Sequence, residues 1–221
     1  MFVSFLSDMP YSRPVDFVHP VQAVIPGAQG RVLAVLAETT AELNLSTLAR
    51  LADVSVAQAS RVLPGLVELG LVERREVPPS SQFRLVRENV AAQAVLNLAR
   101  SWDAALSRIG AAADSLPLSP VSIIVFGSFA RGEADEHSDV DAVVVRPDHV
   151  ADDDDAWASA VERWRNEARA ITGNRVEVLE VSNTEVRTRL ASDTTLWRDV
   201  IRDGIAVHGL AIDELLEPVN A

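Results

Sequence analysis

The sequence predicts an α+β protein of two domains, and three observations predict it. Residues 27–87 place apolar side chains at helical spacing and then close with a two-stranded hairpin. From residue 118 onward, short β-type runs alternate with turns and helical stretches. Charge divides along the same line. Residues 1–115 hold 10 Arg and 11 Asp or Glu (net −1), and residues 116–221 hold 10 Arg and 21 Asp or Glu (net −11). Such asymmetry assigns the halves different work. The expected divisions are an arm over 1–26, a first domain over 27–87, a helical connector over 88–117 and a second domain over 118–221.

Pro10, Pro14, Pro20 and Pro26 prevent a long helix at the start. The arm is therefore expected to be extended and packed through Phe17, Val18 and Val21. From Gly27 the pattern is helical, with a stripe of Val32, Leu33, Val35 and Leu36. Ser46 reads as the N-cap of a short helix that turns Leu48, Leu51 and Ala52 inward. Asp53 and Val54 form a tight turn. Ser55 caps a third helix, with Val56, Ala59, Val62, Leu63, Leu66 and Leu69 on one face and Gly70 ending it. Pro64 lies inside that helix and is expected to kink it. Residues 71–76 and 83–86 read as strands joined by a turn over 78–81.

Helix, short helix, turn, helix and hairpin is the order of a winged helix-turn-helix. Residues 28–87 resemble bacterial winged-helix regulators, most specifically where LVELGLVER takes the helix through Gly70 into the wing. The resemblance implies DNA binding. Its surface would be Ser55, Gln58 and Arg61 on the third helix, with Arg74, Arg75 and Arg84 on the wing. Gln suits adenine and Arg suits phosphate or guanine. The alternative is a winged helix that binds protein or forms a homodimer.

Residues 88–115 read as a packed helical connector with Val90, Ala94, Leu98, Trp102, Leu106 and Ile109 on one stripe, and the prolines before Val121 mark the boundary. The chemistry lies in VSIIVFGSFARGEADEHSDVDAVVVRP, residues 121–147. A buried strand over 121–126 runs into Gly127 and Ser128, then a short helical turn with Arg131, closed by Gly132. A strand that enters a Gly-Ser turn and a helix start offers free backbone N–H groups to phosphate. Ser138, Asp139 and Asp141 open a second strand over 140–145. Asp139 and Asp141 share one face, with Cβ atoms about 6–7 Å apart. A carboxylate pair of this kind suits hard divalent ions. Phosphate cradle and carboxylate pair together equip a site for phosphoryl or nucleotidyl transfer.

A third carboxylate is expected from the β-type run over 174–182, which offers Glu177 and Glu180. Three positions apart, they face opposite sides of a strand. Glu177 is favoured. Arg131 lies within reach of bound phosphate; the alternative is pairing with Glu133 or Asp135. His137 reads as a solvated loop residue rather than a base. Asp152 to Asp155 read as the acidic start of a helix that buries Trp157 and Trp164, not as a metal cluster.

Gly127-Ser128-Phe129-Ala130-Arg131-Gly132 followed by Ser138-Asp139-Val140-Asp141 resembles the signature of the DNA polymerase β-like nucleotidyltransferases, above all the minimal bacterial group. Ser128 precedes Asp139 by 139 − 128 = 11 positions, a spacing that family uses. Residues 196–209 resemble its last helix and strand. The resemblance covers about residues 118–210. It implies a mixed-sheet domain with helices on one side and Mg²⁺ (or Mn²⁺) on Asp139, Asp141 and the third acid. It implies an NTP held at Gly127, Ser128, Arg131 and Ser138. It also implies transfer of a nucleoside monophosphate and, in the minimal group, a ribonuclease-toxin partner.

Composition narrows the field further. All 20 basic residues are Arg, and Cys is absent. That excludes Schiff-base lysine chemistry, the usual P-loop, disulfides and thiolate metal sites. No targeting signal or stretch of ~20 apolar residues is visible, so a cytoplasmic location and no membrane partner are expected.

Overall fold

The computed structural model describes residues 15–217. It divides into two compact units: His19–Trp102, and residues 103–217 together with the segment ending at Val18.

The first unit opens with a helix where an extended arm is expected. α1 (Pro20–Val24) carries Pro at its first position, where the missing N–H costs nothing. Of the arm's expected anchors, Phe17 and Val21 are buried, but Val18 is 42% exposed; residues 1–14 lie outside the description. α2 (Gly27–Glu38) buries Val32, Leu33 and Leu36. β1 (Leu43–Asn44) follows, and then α3 (Leu45–Leu51). Asn44, not Ser46, caps α3: its Oδ1 accepts from Thr47 N at 2.9 Å and from Ser46 Oγ at 2.8 Å. Leu48 and Ala52 point inward, whereas Leu51 is 48% exposed.

α4 (Val56–Glu68) runs through Pro64 as one element and buries Ala59, Leu63 and Leu66, leaving Val56 and Leu69 exposed. Gly70 leaves it with φ +71°, a left-handed position suited to glycine. β2 (Val72–Val77) and β3 (Ser80–Leu85) form the wing. β1 pairs with β3 to give a three-stranded antiparallel sheet in the order β1-β3-β2. α2, α3, α4 and the wing share one apolar core.

The expected connector is two helices, α5 (Val90–Ala99) and α6 (Ser101–Ala113), and the division between units falls at Asp103. The stripe on α5 is rotated from the expected one. Ala92, Val95 and Leu96 are buried, Ala94 is exposed and Val90 is 86% exposed.

The second unit is built on β4 (Ser122–Phe126), α7 (Gly127–Ala130), β5 (Val140–Arg146), α8 (Asp155–Thr172), β6 (Val176–Ser182), α9 (Asn183–Leu190), α10 (Thr195–Asp203), β7 (Ile205–Gly209) and α11 (Ile212–Leu216). The sheet order is β6-β5-β4-β7; β5 and β6 are parallel and the other pairs antiparallel. Side chains alternate across the strands. One face sends Val143, Val145 and Val181 into a core with Val186, Leu190, Trp197, Val200 and Leu215 of α9, α10 and α11. Ala142 and Val144, on the other face, are equally buried. α8 packs on β6, and its Trp164 indole N–H donates to Ile109 O of α6 at 3.0 Å. Helices therefore cover both faces, not one, as strands apolar on both sides require. Asp154 caps α8 by accepting from Trp157 N at 2.9 Å, so the acidic run is a helix start. No helix among the described residues is long and apolar enough to cross a membrane.

Candidate active site

The site is assembled where β4 ends and β5 begins. Phe126 and Asp141 are register partners, as are Asp141 and Glu177 across β5 and β6. Gly127 takes φ +73°, and a Cβ there would come within 2.9 Å of Asp141 Oδ2. Both the backbone angle and the space require glycine. The Asp141 carboxylate thus lies directly against the Gly127 backbone. Beneath the turn, Phe129 is buried and meets Phe17 edge-on with ring centroids 5.1 Å apart, and Phe17 N donates to Ala134 O at 3.0 Å.

Asp139 and Asp141 are half-buried. Among the described residues neither carboxylate has a hydrogen bond or an ion pair, and burial pushes the Asp141 carboxyl above the ordinary range, with Asp139 and then Glu177 adding like-charge repulsion. Glu177 lies on the Asp141 side of the sheet. Glu180 aligns with Val144 and hence the opposite face, where its carboxylate accepts from Arg146 Nε at 3.0 Å. The Glu177 carboxylate is itself turned onto Arg175, and among the described residues no three His, Asp or Glu side chains converge closely enough to hold a metal. The donor chemistry nonetheless fits a hard divalent cation. Two half-buried carboxylates without a cationic partner stand side by side, with a third next to them in register.

Several expected contacts are otherwise engaged. Arg131 donates to Glu133 (2.7 Å) and to Asp203 (2.8 Å) rather than standing open to phosphate. Asp203 is 9% exposed, and its carboxyl is lowered to about 2, first by Arg202 and then by Arg131. Ser138 Oγ donates to Asp135 Oδ1 at 2.8 Å, so it braces the loop. Ser128 is half-buried, and its hydroxyl has no hydrogen bond among the described residues. His137 is exposed.

Asn174 is a positioning residue the sequence reading missed. It is buried, and its amide donates to Asp135 O (3.0 Å) and Ser138 O (2.8 Å), while Val140 N donates to Arg175 O (2.8 Å). These bonds fix the loop that delivers Asp139. An Asn opening the β-type run over 174–182 was the available signal. Asp203 was missed as well, because its partner Arg131 lies 72 residues away.

In the first unit, Ser55 and Gln58 form a reciprocal capping box, with Gln58 Oε1 on Ser55 N (2.9 Å) and Ser55 Oγ on Gln58 N (3.1 Å). Both side-chain oxygens serve the helix start. Arg74 is held by Glu76 and Ser81, Arg75 by Glu42 and Arg84 by Glu73. Arg61 is exposed and makes no ion pair among the described residues.

Residues 107–195 match the family model for the nucleotidyltransferase domain, and residues 30–76 match that for the IclR helix-turn-helix domain. No curated protein matches the chain. Among solved structures, the MarR-family transcriptional regulator from Silicibacter pomeroyi is similar at 29% identity and a TM-score of 0.31. That match covers 38% of this chain and 56% of the other, little over half the regulator's length. A toxin-antitoxin crystal structure with AMP-PNP is 18% identical, covering 50% of this chain and 78% of that one, with a TM-score of 0.35. The chain thus joins an IclR-type helix-turn-helix domain to a nucleotidyltransferase domain.

Proposed function

We propose that the protein is a metal-dependent nucleotidyltransferase that moves a nucleoside monophosphate from an NTP to an acceptor. The observation that carries this reading is the unpartnered carboxylate pair of Asp139 and Asp141, with Asp141 directly against Gly127. In this reading Asp139 and Asp141, with Glu177 swung from Arg175, hold Mg²⁺ or Mn²⁺. Bound on those carboxylates, such an ion would supply positive charge to offset the triphosphate and to polarise the α-phosphorus. Gly127 admits the phosphate chain close to the backbone, and the free Ser128 hydroxyl donates to it. Glu177 takes the acceptor's proton on a carboxylate oxygen. A bond forms from acceptor oxygen to the α-phosphorus, the bond to the bridging oxygen breaks, and pyrophosphate leaves. Arg131 and Ser138 act by holding the turn and the loop. With no lysine in the chain, metal, backbone N–H groups and arginine must meet the phosphate charge.

The test is incubation with each α-labelled NTP and Mg²⁺ or Mn²⁺, with and without cell lysate. Label should pass to protein, RNA or a small molecule, and Asp139→Asn with Asp141→Asn should abolish the transfer. No labelled product under any condition would sink the reading.

The helix-turn-helix match favours a second reading, a DNA-binding regulator or antitoxin-type protein whose transferase domain senses a ligand or binds a partner. Arg61 would then contact backbone phosphate. Tight binding to its own promoter together with absent NTP turnover would decide for it.

A further inference from the structure

A second cluster of reactive side chains lies at the other end of β4 from the Gly127 turn. Asp114 follows α6, Ser119 sits in the loop before β4, and His208 stands on β7. His208 Nε2 meets Ser119 Oγ at 3.2 Å, and His208 Nδ1 meets Asp114 Oδ1 at 3.2 Å. Each ring nitrogen therefore has its own partner. A carboxylate at Nδ1 holds the proton there and leaves Nε2 bare to accept from a hydroxyl. The Ser119 hydroxyl has one further acceptor, Pro120 O at 3.4 Å, which is long for a hydroxyl bond.

The chain holds the hydroxyl and the ring in place. Ser119 lies between Pro117 and Pro120. Proline fixes its own φ and pushes the residue before it toward extended backbone. Just past the loop, Val121 N donates to Val145 O at 2.9 Å, and Leu210 N donates to Val121 O at 3.0 Å. Ser122 Oγ donates to Leu210 O at 2.7 Å. The segments that carry Ser119 and His208 are thus tied together beside the contact. The His208 side chain is 15% exposed, whereas Ser119 is exposed. The base is sheltered and the hydroxyl is open to a substrate. The Leu118 and Ser119 amide N–H groups, next to that hydroxyl in the chain, have no hydrogen bond among the described residues.

We propose that Ser119, His208 and Asp114 form a nucleophilic serine site that hydrolyses small carboxylic esters. Ser119 Oγ attacks the ester carbonyl carbon, and its proton passes to His208 Nε2. Asp114 steadies the charged ring through Nδ1–H. The Leu118 and Ser119 N–H groups are the donors available to the charge that develops on the carbonyl oxygen. The bond to the leaving alcohol breaks, the alcohol takes the proton from Nε2, and an acyl-serine remains. Water then gives a proton to Nε2 and attacks the acyl carbon. The carboxylic acid leaves, and Ser119 Oγ recovers its proton from Nε2. Leu118 beside the hydroxyl and Leu210, two residues past the ring and 41% exposed, offer a short apolar wall that suits a short acyl chain. The site does not depend on the transferase reading. Ile123, the register partner of His208, stands 127 − 123 = 4 positions before Gly127, about 13 Å along the strand.

The test treats the full chain with a fluorophosphonate, which phosphonylates an activated serine with loss of fluoride, and locates the label by peptide mass spectrometry. Hydrolysis of p-nitrophenyl acetate is followed in parallel. Ser119 should be labelled in the folded protein and not in protein unfolded by urea, a result that needs no variant to fold. Ser119→Ala should abolish both labelling at this position and ester hydrolysis. His208→Gln should slow both by about 100-fold or more, and Asp114→Asn should slow both by less, because that carboxylate is exposed. The proposal is overturned if Ser119 stays unlabelled in the folded wild type, or if Ser119→Ala hydrolyses the ester as fast as the wild type. Wild-type labelling rates in His208→Gln or Asp114→Asn, with circular dichroism showing the variant folded, would overturn it as well.

Discussion

The two surfaces proposed for ligands differ in how their charges are spent. On the winged helix, Arg74, Arg75 and Arg84 each sit on a glutamate, and Ser55 and Gln58 each give an oxygen to a helix cap. At the sheet, Asp139 and Asp141 have no such partners among the described residues, although half-buried and beside a third acid. Exposed, paired charge is cheap and says little about ligands. Half-buried, unpaired like charge is costly, and a fold retains it where something bound repays the cost. The contrast makes the sheet site the stronger functional statement.

The largest test of that contrast is Asp139→Asn with Asp141→Asn. Transfer should fall by roughly 1,000-fold or more, while circular dichroism and cooperative melting stay those of the wild type. Gly127→Ala follows. A Cβ forced into a left-handed backbone and against Asp141 should cost about 1–3 kcal/mol, read as a lowered denaturant midpoint with transfer reduced alongside.

Acidity sharpens the comparison further. The Asp141 carboxyl is raised in the fold, chiefly by burial, so folding disfavours its charged form relative to the unfolded chain. Relative to Asp141→Asn, metal-free protein should lose stability as pH climbs above the ordinary carboxylate value of 3.8, and Mg²⁺ should restore it. Denaturant melts at stepped pH read this directly, and parallel curves for the two proteins would contradict it. Asp203 has the opposite sign. Lowered to about 2 from 3.8, it contributes stability above 3.8 that is lost as pH falls toward 2, a loss that Asp203→Asn should not show.

The smallest effects belong to the winged helix. Ser55→Ala should cost about 1 kcal/mol of stability through the lost cap and leave any DNA sequence preference intact. Arg61→Ala should weaken DNA equally across sequences and reduce the salt slope by about 1. A change of preferred sequence in Ser55→Ala would return that residue to the reading surface.

Local signals were legible in the sequence, and tertiary ones were not. Gly70 and Ser55 marked the ends of α4 because a left-handed stop and a cap are properties of a few adjacent residues. The Ser55-to-Gln58 spacing also carries the capping box that the structure forms there. Ser46 and Asn44 are both good caps two positions apart, and only the backbone selects between them. The phase of α5 was lost because Ala91, Ala92 and Ala94 carry little pattern. β1, two residues long, has no period to detect. The turn and the Asp139 and Asp141 strand stood out because spacing and residue type coincide there. That Asn174 ties down their loop, and that Arg131 belongs to Asp203, depends on segments far apart in the chain.

The pairing of Phe126 with Asp141, and of Asp141 with Glu177, has a consequence for how this protein tolerates change. Sliding β5 by one residue against either neighbour would carry both aspartates through the sheet to the other face. The loop over 131–139 carries no strand register, but its tip is a closed turn, with Ser138 N donating to Asp135 O at 3.2 Å and His137 N to Asp135 Oδ1 at 2.9 Å. Substitutions at the exposed Glu136 and His137 should be accepted, provided that Asp135 and Ser138 keep their bonds to Asn174. Variation can thus collect between turn and strand, next to the chemistry, without disturbing the alignment that creates it.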